Sequence, residues 1–107
     1  MDEPRLKTEF RISAYLRQVQ AGGAFATVVK KGDPDAGAIA IKVYMRRAEA
    51  RLLIQSRDLD GRPIWRDPLD GSCDEARVDG WLEKERAIDP DLWVIEIEDS
   101  QGRDFLE

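Results

Sequence analysis

Histidine is missing from all 107 residues of the chain, and cysteine occurs once, at Cys73. Without histidine there is no Ser-His-Asp or Cys-His pair, none of the usual zinc ligand sets, and no side chain whose ordinary pKa lies near neutrality. Carboxylate, lysine and tyrosine chemistry stays open, because these groups act as acids and bases when their surroundings shift them. A lone cysteine closes no internal disulfide, which agrees with a reducing compartment. Long apolar runs are absent too. Nothing approaches the roughly 20 residues that a membrane-spanning helix needs, and Met1-Asp2-Glu3-Pro4 lacks the basic and apolar regions of a signal peptide. The expectation is a cytoplasmic protein with no membrane association.

Segregated charge is also lacking. The 17 Lys and Arg and the 22 Asp and Glu leave a net charge of −5, with the two signs interleaved. The doublets Lys30-Lys31 and Arg46-Arg47 are short and far apart, unlike the basic stripe that phosphate contacts demand, so nucleic acid is not an expected partner. What is present suits one hydrophobic core, and residues 1–107 are read as a single domain.

Thr8 and Glu9 suit a helix start, and Ile12, Tyr15, Leu16 and Val19 recur along one helical face, which predicts a helix over 9–21 closed by Gly22-Gly23. Strands follow at 24–31 and 38–46, joined by the turn-rich Gly32-Asp33-Pro34-Asp35-Ala36-Gly37 and expected to pair as an antiparallel hairpin. A third strand is expected over 51–57, then an exposed connection over 58–71 with at most a short strand near Ile64 and Trp65. Ser72 and Glu75 form a Ser-x-x-Glu capping box for a second helix with Val78, Trp81, Leu82 and Ile88 on its stripe. Asp89-Pro90-Asp91 ends it before a strand over 92–99, and Gly102 turns the chain towards a possible last strand over 103–106. The fold class is therefore α+β, a single antiparallel sheet of four or five strands with two helices on one face, in the order α-β-β-β-α-β-(β).

Glu96 and Glu98 share one side of the last long strand and are the first place to seek a paired acid and base. Salt bridges on a solvated sheet face, to cations such as Lys30 or Lys42, explain them as well. Ser56 to Gly61 has oxygen donors at alternate positions but lacks the first and twelfth ligands of a calcium loop. Cys73 is placed in the first turn of the second helix, where Asp74 and Glu75 oppose a thiolate. The turn over 32–37 matches no phosphate-binding pattern, and Asp33 and Asp35 would repel phosphate. Trp81 and Trp93 belong to the core, whereas Trp65 either covers the sheet or anchors a partner. A third reading is RNA stacking on Tyr44 with Lys30 and Lys42, which the acidic balance opposes.

Three stretches carry a family resemblance: Ser13-Ala14-Tyr15-Leu16-Arg17 with Ala21-Gly22-Gly23, then Phe25 through Gly37, then Asp89-Pro90-Asp91-Leu92-Trp93-Val94-Ile95-Glu96. Together they resemble the bacterial domain of unknown function family 1491. The resemblance implies a compact bacterial protein and brings no reaction, cofactor or catalytic residue with it. It draws interest to the 32–37 turn and the 89–93 corner as one surface, so Asp33, Asp35, Gly37, Asp91 and, separately, Trp65 are the candidate interaction residues. The expected function is that of a non-enzymatic interaction or accessory module with a protein partner, without cofactor or metal. A small ligand-binding domain or carboxylate-using enzyme is the alternative, and self-association through a strand edge is compatible with either.

Overall fold

A computed structural model describes residues 7–106, so the signal-peptide reading of Met1 to Pro4 lies outside the described residues. The elements run α1 (Thr8–Ala21), β1 (Phe25–Lys30), β2 (Ile39–Arg46), β3 (Glu49–Arg57), β4 (Pro63–Arg66), β5 (Cys73–Asp74), α2 (Glu75–Ile88) and β6 (Trp93–Glu98). One six-stranded sheet has the order β1-β6-β2-β3-β4, with β5 on the start of β3. The expected helices and strands are present over most of their length. The sheet they form is not the expected one.

The β1–β2 hairpin does not exist, because β6 lies between the two strands, antiparallel to β1 and parallel to β2. The sheet is thus mixed. Trp93, Val94 and Ile95 are buried in succession along β6, whereas β1 is mostly exposed. A strand that is apolar on both faces belongs in the middle of a sheet and a half-polar one at its rim.

The helices do not share a face. Ile39, Ile41 and Val43 of β2, with Leu53, Trp93, Ile95 and Ile97, pack against Ile12 and Val19 of α1. The alternate residues Ala40, Ala50, Leu52 and Val94 pack against Val78 and Leu82 of α2. Since successive strand residues point to opposite sides, these two clusters are the two faces of one sheet.

Residues 103–106 form no strand. Gly102 does take the expected positive φ, +71°, and the chain then folds across α1. Gln18 Nε2 donates to the Phe105 carbonyl at 3.1 Å and Arg51 pairs with Asp104 at 2.6 Å. The Tyr15 hydroxyl donates to the Asp104 carbonyl, and burial, reinforced by the Asp104 carboxylate, raises its pKa above the ordinary phenol value.

Neither helix start is capped as expected. The Thr8 hydroxyl is buried and donates to the Gly37 carbonyl at 2.9 Å, while the N–H groups of Thr8 and Glu9 donate to the Asp35 and Pro34 carbonyls at 3.2 and 3.0 Å. The Ser72 hydroxyl donates to Glu49 at 3.1 Å, not to the helix, and Cys73 lies in β5. Glu75 N–H, at the start of α2, donates to the Ala48 carbonyl at 2.7 Å. Loop carbonyls thus satisfy helix donors that side chains ordinarily cap. Ile88, expected on the inner stripe, is exposed at the end of α2.

Candidate functional site

Asp33, Asp35, Gly37 and Asp91 converge on one corner, where the 32–37 turn wedges between the start of α1 and the approach to β6. Asp33 is its hub. Its N–H donates to the Asp91 carbonyl at 3.0 Å, and its carboxylate accepts from Ala36 N–H at 2.9 Å. Its own carbonyl accepts from Gly37 N–H at 3.1 Å and from the buried Trp93 indole at 2.7 Å. A Cβ on Gly32 or Gly37 would overlap the Asp91 carbonyl, so close backbone approach requires both glycines. Arg86 of α2 joins the same corner through the Leu92 carbonyl at 2.6 Å. These bonds are intramolecular, and of the four residues only Asp35 and Asp91 turn their carboxylates outward, Asp35 beside Lys7 at 3.5 Å.

Beside this corner opens a cleft of 310 Å³ walled by Thr8, Arg11, Asp35, Gly37, Gln55 and Arg57. With its amide oxygen turned to Arg11, Gln55 accepts from the guanidinium at 2.6 and 3.3 Å. Arg57 donates to the Gly61 carbonyl at 2.8 Å. Two guanidiniums and an amide can grip a small carboxylate or phosphate group. Trp65 lies opposite Gln55 in the β3–β4 register, half-buried against the α1-side core.

The α2 side holds a second polar constellation, of which the sequence reading anticipated a Lys42–Glu96 pair but not its burial nor the α2 carboxylates Glu75 and Asp79. Lys42, between the core residues Ile41 and Val43, is buried and reaches Glu75 and Asp79 at 2.7 Å and Glu96 at 3.2 Å. Burial pushes its pKa down, but the hydrogen bonds to Asp79, Glu75 and Glu96 outweigh that and raise it above the ordinary lysine value. Lys42 therefore cannot serve an exposed RNA platform, and Glu96 is held as its counter-ion. Glu98 stands in solvent. The signal was legible in principle, since a lysine inside an alternating buried strand must bring partners.

Beyond Lys42 the α2 face is unroofed. Phe25 and Val29 of β1 are 76% and 46% exposed. A groove of 440 Å³ runs between α2 and the end of β1, walled by Val29, Lys30, Leu82, Arg86, Ala87 and Val94.

A mixed six-stranded sheet with one helix on each face and a polar corner cleft defines a small α+β protein. Residues 6–107 match the family described as Protein of unknown function (DUF1491), and the chain belongs to that family. It is similar to a DUF1491 family protein from Caulobacter crescentus in a crystal structure, at 44% identity and TM-score 0.87, over 95% of each chain. An NMR structure of a DUF1491 family protein from the same organism gives 42% identity and TM-score 0.86, over 97% of this chain and 94% of that one. A solution structure of a protein from A. tumefaciens gives 35% identity and TM-score 0.76, over 89% and 86%. No curated protein matches the chain. No helix among the described residues is long and apolar enough to cross a membrane.

Proposed function

We propose that the protein is a non-enzymatic interaction module of the bacterial cytoplasm, and that it binds another polypeptide through the open half of its sheet. The observation that carries this is the exposure of Phe25 and Val29 on an edge strand. Such a strand offers unused backbone donors and acceptors together with apolar side chains, the combination that β-strand addition uses. Glu96 and Glu98 line one shallow cleft beside Phe25 and Thr27, where Glu96 is already paired with Lys42 and Glu98 is exposed. Asp35 and Asp91 expose their carboxylates at the corner, while Trp65, half-buried on β4 at the opposite rim of the sheet, lies outside this surface.

The test is native mass spectrometry of the protein purified gently from its own host. A retained polypeptide mass that disappears with Phe25→Asp supports the reading. A bare monomer under conditions that preserve weak complexes would sink it. A second reading, a small acidic ligand in the corner cleft, is favoured by the Arg11–Gln55–Arg57 wall. It predicts instead a small mass increment that survives Phe25→Asp and is lost with Arg11→Ala.

A further inference from the structure

We infer that the polypeptide taken by the β1 edge is a second copy of this chain, paired antiparallel about a two-fold axis. The inference rests on the interaction reading and names its partner. The two rims of the sheet differ in how they are guarded. On the far side β4 has four residues, begins with Pro63 and ends with Arg66, and β5 covers the start of β3. Proline, brevity and charge are the usual protections of an edge. Along β1 there is no proline, and Phe25 to Val28 run in regular register with β6 before a bulge ahead of Lys30.

The features of this rim complement themselves under a two-fold rotation. On the α2 side Phe25 stands beside Glu98 at one end of β1, and Val29 and Lys30 stand at the other end beside Val94. Antiparallel pairing of two β1 strands brings the Phe25 end of each copy against the Val29–Lys30 end of the other. Phe25 of one copy then meets the groove walled by Val29, Leu82, Ala87 and Val94, whose 440 Å³ exceeds a phenylalanine side chain. The Lys30 ammonium meets the Glu98 carboxylate of the second copy, and neither has an ion-pair partner among the described residues. A lysine that guards the edge against other strands thereby becomes a contact for this one. Each contact occurs twice, as isologous symmetry requires, and the two sheets join into one.

The experiment is sedimentation equilibrium of the purified full chain, with circular dichroism confirming that each variant is folded. A concentration-dependent dimer is expected, and Phe25→Asp raises its dissociation constant by roughly a hundredfold or more, since an anchor is lost twice. Lys30→Glu and Glu98→Lys each weaken it by roughly tenfold, and the two together restore it, because the reversed charges face each other again. A wild-type chain that stays monomeric up to about 100 μM overturns the inference, as does a dimer indifferent to Phe25→Asp or a charge-reversed pair that shows no rescue. The interaction reading is distinguished from it: a monomeric chain that still retains a different polypeptide from its host, in a Phe25-dependent way, loses the self-pairing and keeps the module, and one that retains no polypeptide loses both.

Discussion

The two faces of the sheet are made by alternate residues of the same strands, yet they solve burial differently. The α1 face is apolar across β6, β2 and Leu53 of β3, and its polar residues Arg51 and Gln55 are paired towards its margin, Arg51 with Asp104 of the closing segment 103–106 and Gln55 with Arg11. The α2 face is apolar only beneath α2, is interrupted by Lys42 with its three carboxylates, and is bare over β1. A face whose polar residues are paired at its margin is explained by stability alone. A face that holds a lysine among three carboxylates and leaves Phe25 in water has more to explain, and that asymmetry is the reason for proposing the binding surface on the α2 side.

The comparison is broken most severely from the α1 side. Ile95 is fully buried there, and Ile95→Ala should cost about 3 to 4 kcal/mol through lost transfer energy and the cavity left behind, read from the urea midpoint at unchanged m-value. On the α2 side Lys42→Met should cost about 2 kcal/mol at neutral pH. That is less than the loss of a fully buried partner, because Glu75, Asp79 and Glu96 remain 34%, 55% and 27% exposed and water screens them. The variant should recover on acidification, as the stranded carboxylates protonate. In the wild type the raised Lys42 pKa works in the other direction: its contribution is complete below the unfolded value of about 10.4 and is lost as pH rises through the folded one. The alkaline loss should therefore be steeper in wild type than in Lys42→Met. Equal slopes would mean that the cluster contributes nothing.

A smaller effect tests the closure of the α1 margin. The hydrogen bonds from Arg103 hold the Asp99 carboxyl below the usual carboxylate range against the opposing effect of burial, and they set the turn that sends 103–106 back. A lowered folded pKa gives stability that is present above the unfolded value of about 3.9 and lost as pH falls through the folded one. Asp99→Asn should thus cost about 1 kcal/mol at pH 7, and the gap between it and wild type should close towards pH 3 in acid titrations of unfolding.

Most elements were legible in the sequence because each rests on local periodicity. Ile12 to Val19 and the Ile39-Ile41-Val43 alternation depend on neighbours in the chain, and Asp89-Pro90-Asp91 stops α2 by turn chemistry. Topology was less legible. Placing β6 between β1 and β2 depends on Val94 being buried as well as Ile95, which becomes evident only once Ala40 and Leu52 are seen to face a second helix. The helix starts misled for a related reason. Thr8 and Ser72 have the chemistry of caps, but the Phe10 and Arg11 N–H groups that Thr8 would satisfy donate to the Lys7 carbonyl, and the Glu75 N–H that Ser72 would satisfy donates to the Ala48 carbonyl of a distant turn. Of the candidate site, the corner was visible through its glycines and aspartates. Arg11, Gln55 and Arg57 were not, since no short-range pattern links α1 to the end of β3.

The smallest effect sharpens the contrast between the loops that hold the two helices. The loop at the start of α1 has glycine at both points where backbones approach, Gly32 and Gly37. The loop that meets the start of α2 is the two-residue β2–β3 turn Arg47-Ala48, with φ of 53° and 61°, and it contains no glycine. Hairpin turns of this kind favour Asn-Gly, because a Cβ is disfavoured in the left-handed region. Ala48 cannot leave that conformation cheaply, since its carbonyl accepts from Glu75 N–H at the start of α2 and its N–H donates to the Tyr44 hydroxyl at 3.2 Å. Ala48→Gly relieves the Cβ conflict, worth about 1 to 2 kcal/mol, and concedes up to about 1 kcal/mol in unfolded-chain entropy. The net expectation is a gain of about 0.5 to 1 kcal/mol, seen as a rise in melting temperature with the α2 helical signal unchanged. A loss of stability would show that the Ala48 methyl supports the turn, and that both helices are held by loops suited to their backbone.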